Sequence, residues 1–171
     1  MNDLKKQILQ GEVFIYPTDT VYGLGCNALD KKAVARIKEI KKRDVDKPLS
    51  IIAPSLDWIE ENCKVGNLDL KKYFPGPYTV IMKKKKEGFL KNVSSGDSLG
   101  VRIPDSDFCN VVRLTGYPFI STSVNLSGEK PAKKISEISK DIKDQVDVVI
   151  DRGKLSGKPS TLIVNGKEVK R

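Results

Sequence analysis

Four stretches of this 171-residue chain and one isolated arginine carry the residue types that chemistry on small anions needs. The first, KKRDVDKPLS (41–50), offers Lys41, Arg43 and Lys47 from a turn that Asp44 and Pro48 impose after a helix. Arginine presents a two-pronged fork to phosphate and lysine a point charge. The same cations equally suit a helix C-terminus, where the dipole favours them by about 0.3–1 kcal/mol. The second, YPTDTVYGLGCNA (16–28), places Thr18, Asp19, Thr20 and Tyr22 directly after a strand, then Gly23 and Gly25. Hydroxyls and a carboxylate at a strand end suit a small polar ligand, and glycines let backbone approach it or simply turn the chain. In the third, STSVNLSG (121–128), Ser123 and Asn125 are two apart and point the same way if the strand continues. Asn125 serves equally as a loop cap. KPSTLIV (158–164) repeats the theme with Ser160 and Thr161. Arg102, between Val101 and Ile103 in LGVRIP, must face a polar cavity or an ion pair, because a buried unpaired cation is costly.

What is missing narrows the chemistry further. Histidine is absent, which removes Ser-His-Asp, Cys-His and His-ligated metal sites. Cys26, Cys63 and Cys109 are odd in number and far apart, so neither a disulfide framework nor a Cys-x-x-Cys site is expected, and Cys26 reads as a buried reduced thiol. Neither a P-loop nor a Gly-x-Gly-x-x-Gly dinucleotide fingerprint occurs. Hydroxyls, amides, cations and a metal brought in with a substrate remain, with no metal site in the protein itself. Asp19 is the one carboxylate beside these motifs, and it reads at least as well as a turn-former.

The elements that must position these residues follow from periodicity. A helix is predicted over 3–10 with Gly11 as its stop, and a second begins at the N-cap Asp30 with Val34, Ile37 and Ile40 at helical spacing. Ser55 caps a third that runs through Cys63, residues 106–115 form a fourth closed by Gly116, and 136–143 form a fifth led by Ser136. VFIYPT, LSIIA, YTVIM, LGVRIP, PFISTSV, VDVVI and STLIV read as strands, and Asn165-Gly166 as a hairpin turn before KEVK. KKKK (83–86) reads as a solvated strand end. Alternating strands and helices imply an α/β fold of α+β-like character with a mixed sheet, in a single domain over 1–171. No apolar run approaches the roughly 20 residues that span a bilayer, and the first residues lack a signal-peptide core, so a cytoplasmic protein is expected. A net charge of +9 favours anionic partners such as nucleotides or RNA, or reflects a lysine-rich proteome.

Taken in order, YPTDTVYGLGCNA, KKR…KPLSII, PGPYTVIM, VRIPD, STSVNLSG and STLIV strongly resemble the YrdC/TsaC family of threonylcarbamoyl-AMP synthases, over about residues 10 to 165. The Lys-x-Arg…Ser-x-Asn signature stands as Lys41, Arg43, Ser123 and Asn125. The resemblance implies a twisted, open mixed sheet flanked by helices, with a large basic concave cavity. It implies the joining of L-threonine, bicarbonate or CO2, and ATP into L-threonylcarbamoyl-adenylate and pyrophosphate, with Mg2+ carried by ATP. The product would be handed to the transferase that modifies adenosine 37 of tRNAs reading ANN codons. By motif matching, Thr20, Arg102, Ser123 and Ser160 bind threonine. Arg43, Lys47, Ser98, Asn125 and Arg171 bind ATP, with Lys41 and Arg43 as the catalytic cations. Ile52, Ser106 and Lys133 depart from the family pattern, Ile52 where relatives commonly carry histidine or another polar residue and Ser106 where they usually carry histidine. The rival reading is a protein that binds double-stranded RNA or tRNA through the same basic cavity, by salt-dependent, sequence-blind phosphate contacts.

Overall fold

The computed structural model describes residues 2–44, 46–126 and 128–169. The chain runs α1 (Asn2–Leu9), β1 (Phe14–Tyr16), β2 (Gly23–Gly25), α2 (Lys31–Ile40), β3 (Ser50–Ile52), α3 (Leu56–Asn62) and β4 (Cys63–Lys64). It continues through β5 (Tyr78–Lys84), β6 (Ser98–Arg102), α4 (Asp107–Thr115), β7 (Phe119–Ser123), α5 (Lys140–Lys143), β8 (Val148–Val149), β9 (Thr161–Val164) and β10 (Lys167–Val169). The described strands form one mixed sheet ordered β10-β9-β5-β6-β3-β7-β2-β1-β8, with β4 pairing β5 beside that path. Three pairs (β5–β9, β3–β6, β1–β8) are parallel and the other pairs are antiparallel, the mixed sheet that alternating strand and helix patterns imply.

Local chemistry places the helices. The Asp30 carboxylate accepts from the N–H groups of Lys32 and Ala33, and Ser55 from that of Trp58, so both N-caps stand where the sequence puts them. Gly116 closes α4 in the left-handed region at φ 73°. Asn165 and Gly166 both take positive φ, the turn that joins β9 to β10. Two expectations are corrected. The segment 136–143 is not one helix: a 3-10 turn over Ile135–Glu137 ends at Ile138 in extended conformation, and Ser139, not Ser136, caps the short α5. The glycines of GLG, read as approaching a ligand or turning the chain, do not turn it: they lie in β2, paired to β1 and β7.

Cross-strand partners share a sheet face, so the register shows what each face does. On one face Ile15, Leu24, Ile51, Val80, Val101, Ile120 and Ile163 join Val34 and Ile37 of α2, Ile59 of α3 and Ile142 of α5 in the main core. The opposite face is divided. At its β1–β7 side, Phe14, Tyr16, Ile52 and Phe119 pack against Ile8 of α1 and Phe108, Val111 and Val112 of α4. Tyr16 stacks on Phe108 with ring centroids 4.4 Å apart, and Phe119 meets both edge-on. Beyond Ile52, the pairings Ser50↔Ser121, Ser50↔Gly100 and Gly23↔Ser123 continue the same face with small and hydroxylic residues, and among the described residues no helix lines the hollow over them. The candidate site is this uncovered half.

Candidate functional site

Arg102 ends β6 on that face. Only 7% exposed, it donates from Nη2 to Asp19 Oδ1 at 3.1 Å and to Thr20 Oγ1 at 3.3 Å, and Nη1 lies 3.5 Å from Ser121 Oγ. The strand thus delivers a cation into a polar hollow with an acidic partner, which meets both conditions set by its apolar flanks. Around it converge Thr20, itself hydrogen-bonded to Thr18 Oγ1 at 2.8 Å, and the buried pair Thr79 and Ser160, with hydroxyls 2.7 Å apart. Ser50, Ser121, Ser123 and Leu162 complete the walls, and Arg43 closes the far side, giving a cavity of about 390 Å³. That volume is in the range of small-ligand sites. Among the described residues no carboxylate lines the cavity. Its chemistry is two guanidiniums among hydroxyl donors, suited to a ligand carrying carboxylate and phosphate. Nε of both Arg43 and Arg102 is buried with no hydrogen-bond acceptor among the described residues. Each guanidinium therefore keeps hydrogen-bonding capacity that the protein does not use.

Thr20, Arg43, Arg102, Ser123 and Ser160 meet in this one cavity, although they come from five separate segments. Lys41 and Asn125 stand behind it. Lys41 is 2% exposed, and its ammonium donates to Ser123 O at 2.6 Å and Asn125 O at 2.9 Å, with Asn125 Oδ1 at 3.4 Å. It ties the Ser123–Asn125 turn together and does not line the cavity. Burial first, then the nearby charge of Arg43, lowers its pKa to about 8. Asn125 donates through Nδ2 to Leu126 O and Glu129 O and contacts Ser123 Oγ through Oδ1, the loop-capping role open to it from the sequence. Arg43 Nη2 donates to Pro48 O at 2.9 Å, which folds the loop back on itself. Lys47 is exposed on that loop and does not line the cavity. Ser98 lies on the same sheet face but in an adjoining hollow beside Ile81, Lys83 and Val164, bonded to Asp97 at 2.9 Å. Arg171 is outside the described residues.

Sequence reading missed Ser50, Thr79 and Ser121. Each is a hydroxyl in an apolar strand, and only the register of β3, β5 and β7 against β6 brings it to the face of Arg102. Two other readings change. Gly23 does border the cavity, yet a Cβ there would sit 2.6 Å from Tyr16 Cζ, so its missing side chain makes room for a ring. Within KKKK, Lys84 is not solvated: it is 7% exposed and donates to Ser94 O at 2.9 Å. Of the three departures, Ile52 is fully buried in the aromatic cluster, and Ser106 precedes α4 without a capping bond from its side chain. Lys133 bonds through its backbone, its N–H donating to Glu137 Oε2 at 2.8 Å and its carbonyl accepting from Leu155 N at 2.8 Å. Burial holds the Cys26 thiol well above its ordinary range, as befits an inert thiol, and among the described residues no cluster of three or more His, Cys, Asp or Glu could hold a metal.

An α/β sheet whose open half-face holds a guanidinium- and hydroxyl-lined cavity is the architecture to compare with known proteins. A family model described as telomere recombination, the Sua5/YciO/YrdC domain, matches residues 6–170, and the chain belongs to that family. A Methanocaldococcus jannaschii relative is 42% identical over 164 residues, 94% of this chain and 77% of its own. The threonylcarbamoyl-AMP synthase of Vibrio campbellii is 36% identical, over 92% of this chain and 89% of its own. The crystal structure of Pyrococcus abyssi Sua5 complexed with L-threonine superposes with a TM-score of 0.85 at 30% identity, covering 96% of this chain. This chain spans 50% of the length of that protein.

Proposed function

We propose that this chain synthesises L-threonylcarbamoyl-adenylate from L-threonine, bicarbonate or CO2, and ATP, releasing pyrophosphate. The observation that carries the reading is the convergence of Arg102, Thr20, Ser123 and Ser160 with Arg43 in one cavity. The family relation to named synthases, and to a protein crystallised with L-threonine, supports it.

The geometry suits a reaction that needs placement more than proton transfer. Threonine's amine and CO2 form a carbamate; a carbamate oxygen then attacks the α-phosphorus of ATP, and pyrophosphate leaves with the electrons of the broken P–O bond. Arg102 takes the amino acid's carboxylate, the hydroxyls of Thr20, Ser123 and Ser160 hold its polar groups, and Arg43 faces the phosphates. Holding two reactants in line, and cancelling the charge that develops, are the main demands of such a displacement. No histidine is needed. Mg2+ bound to ATP would share the neutralisation of the phosphates. Among the described residues no carboxylate lines the cavity, so the triphosphate itself would supply the metal's anionic ligands.

The adenylate is a reactive mixed anhydride, which fits a hand-off to a tRNA threonylcarbamoyl transferase. The compartment implied is the cytoplasm, and no described helix is long and apolar enough to cross a membrane. An RNA-backbone binder would need a continuous cationic surface; a narrow, hydroxyl-walled cavity fits a small molecule better. The test is an assay for pyrophosphate and threonylcarbamoyl-adenylate with each substrate omitted in turn. Both products should appear only with all three present. Pyrophosphate release independent of threonine would refute the reading.

A further inference from the structure

Asp19 lines neither of the two hollows beside it, yet it is nearly as buried as the arginine it pairs with, their side chains being 12% and 9% exposed. Oδ1 accepts from Arg102 Nη2 at 3.1 Å and Oδ2 accepts the backbone N–H of Asp105 at 3.0 Å. One carboxylate thus fixes both the guanidinium at the end of β6 and the turn that follows it. The 18–20 turn is braced from the other side by Gly157. A Cβ there would lie 2.4 Å from Thr20 O, 2.5 Å from Thr20 Cα and 2.7 Å from Asp19 O, so the chain passes flush against the turn's backbone. Asp19 is a wedge between two fixed surfaces.

We propose that Asp19 is a positioning residue for the amino-acid carboxylate. By occupying one edge of the Arg102 guanidinium, it turns the remaining N–H groups towards the cavity and so sets the preference for a charged carboxylate at that end. The inference deepens the proposed function and rests on it for the identity of the amino acid. Two effects oppose each other here. The Asp19 charge offsets that of Arg102, which alone would weaken the hold on a second carboxylate. Against that, an unfixed guanidinium on a long flexible stem must be ordered by the ligand at each binding event, a cost that preorganisation removes. The bond to Asp105 N and the brace at Gly157 both fix direction, so positioning is expected to outweigh compensation.

Calorimetric titration of L-threonine and of L-threoninamide, which lacks the carboxylate charge, into wild type, Asp19→Asn and Gly157→Ala tests this, together with KM for threonine and for ATP. In Asp19→Asn, threonine affinity should fall at least tenfold while threoninamide affinity changes less than twofold. KM should rise for threonine and not for ATP. Gly157→Ala, which displaces the turn without removing a charge, should reproduce that pattern more weakly. Equal losses for both ligands would reduce Asp19 to a structural role, and unchanged or tighter threonine binding would show that compensation wins; either overturns the proposal. Should Asp19→Asn melt early, Asp19→Glu keeps the charge, displaces it by one methylene and must give the same selective loss. A wild type that binds no threonine would sink the proposed function itself, a result distinct from wild-type binding that Asp19→Asn leaves intact.

Discussion

The two ends of the cavity, the one we assign to the amino acid and the one we assign to the phosphates, are built differently. At the amino-acid end, Arg102, Thr79 and Ser160 sit on or beside paired strands, are at most 7% exposed, and already hydrogen-bond one another or the 18–20 turn. At the phosphate end, Arg43 and Lys47 belong to the loop after α2, where the Arg43 guanidinium donates to the carbonyl of Pro48 in the same loop and Lys47 is exposed. One end is a preformed receptor; the other is Arg43 on a short strap, with Lys47 on the same strap outside the cavity lining. Substitutions at the rigid end should therefore act on binding and stability together, whereas those on the strap should act on catalysis with the fold untouched.

The sharpest contrast comes from Arg43→Ala. Arg43 is the cavity's cation at this end, and removing one preorganised charge from developing phosphate charge costs on the order of 10²–10³ in rate. Adenylate formation should fall by about that factor while the thermal midpoint stays within about 2 °C, read by product assay and circular dichroism. A large drop in melting temperature would break the comparison, because it would make the strap part of the folded framework.

Lys41→Met tests the junction between the two ends. The ammonium bonds the carbonyls of Ser123 and Asn125, and leaving buried acceptors unsatisfied costs about 1–3 kcal/mol. Both stability and turnover should fall, turnover by roughly tenfold as the turn relaxes. Two residues apart, Lys41 and Arg43 then separate cleanly: one lowers melting temperature and rate, the other rate alone. With its pKa lowered to about 8, Lys41 also gives a pH signature. Above that value the folded protein loses the ammonium, while the unfolded chain holds its proton to about 10.4. Between the two, the unfolded state binds more protons, so this group makes stability rise with pH. Activity should move the opposite way: kcat/KM should decline through an apparent pKa near 8, and Lys41→Arg should remove that decline.

How much of this was legible beforehand follows from the same contrast. The strand-borne cation was readable, because Arg102 between Val101 and Ile103 can only face a polar hollow or an ion pair, and the structure gives it both. The caps at Asp30 and Ser55 and the turn at Asn165-Gly166 were equally local and equally readable. Lys41 was not. A cation in a motif looks alike whether it faces a phosphate or a carbonyl, and only the approach of residues 123–125, some eighty positions away, decides between them. Ser50, Thr79 and Ser121 were hidden for a related reason: a hydroxyl in an apolar strand becomes a cavity wall only when register sets it beside Arg102. Gly23 misled because a glycine beside hydroxyls suits a ligand as well as a ring, and the Tyr16 ring that needs the space arrives from a paired strand.

Ser160→Ala sharpens the amino-acid end by a smaller step. Its hydroxyl pairs with that of Thr79 and borders the cavity, so truncation loses one hydrogen bond, about 0.5–1.5 kcal/mol, or roughly two- to tenfold in threonine affinity by calorimetry. Affinity for ATP should not change, and an equal loss for both ligands would blur the division between the ends.

Lys47→Ala should give the smallest effect, and its character matters more than its size. An exposed ammonium acts on a bound triphosphate through solvent, where one charge is worth about 0–1 kcal/mol and is screened over about 8 Å at physiological salt. The loss should amount to a fewfold rise in KM for ATP at low ionic strength, and it should vanish at about 0.5 M salt. Arg43→Ala should keep its full deficit across the same range, since a half-buried guanidinium in contact with its anion is shielded from added ions. If the Lys47 effect persists at high salt, the strap must close so that this ammonium leaves solvent and contacts the phosphates, and the phosphate end would then be a receptor completed by its own ligand.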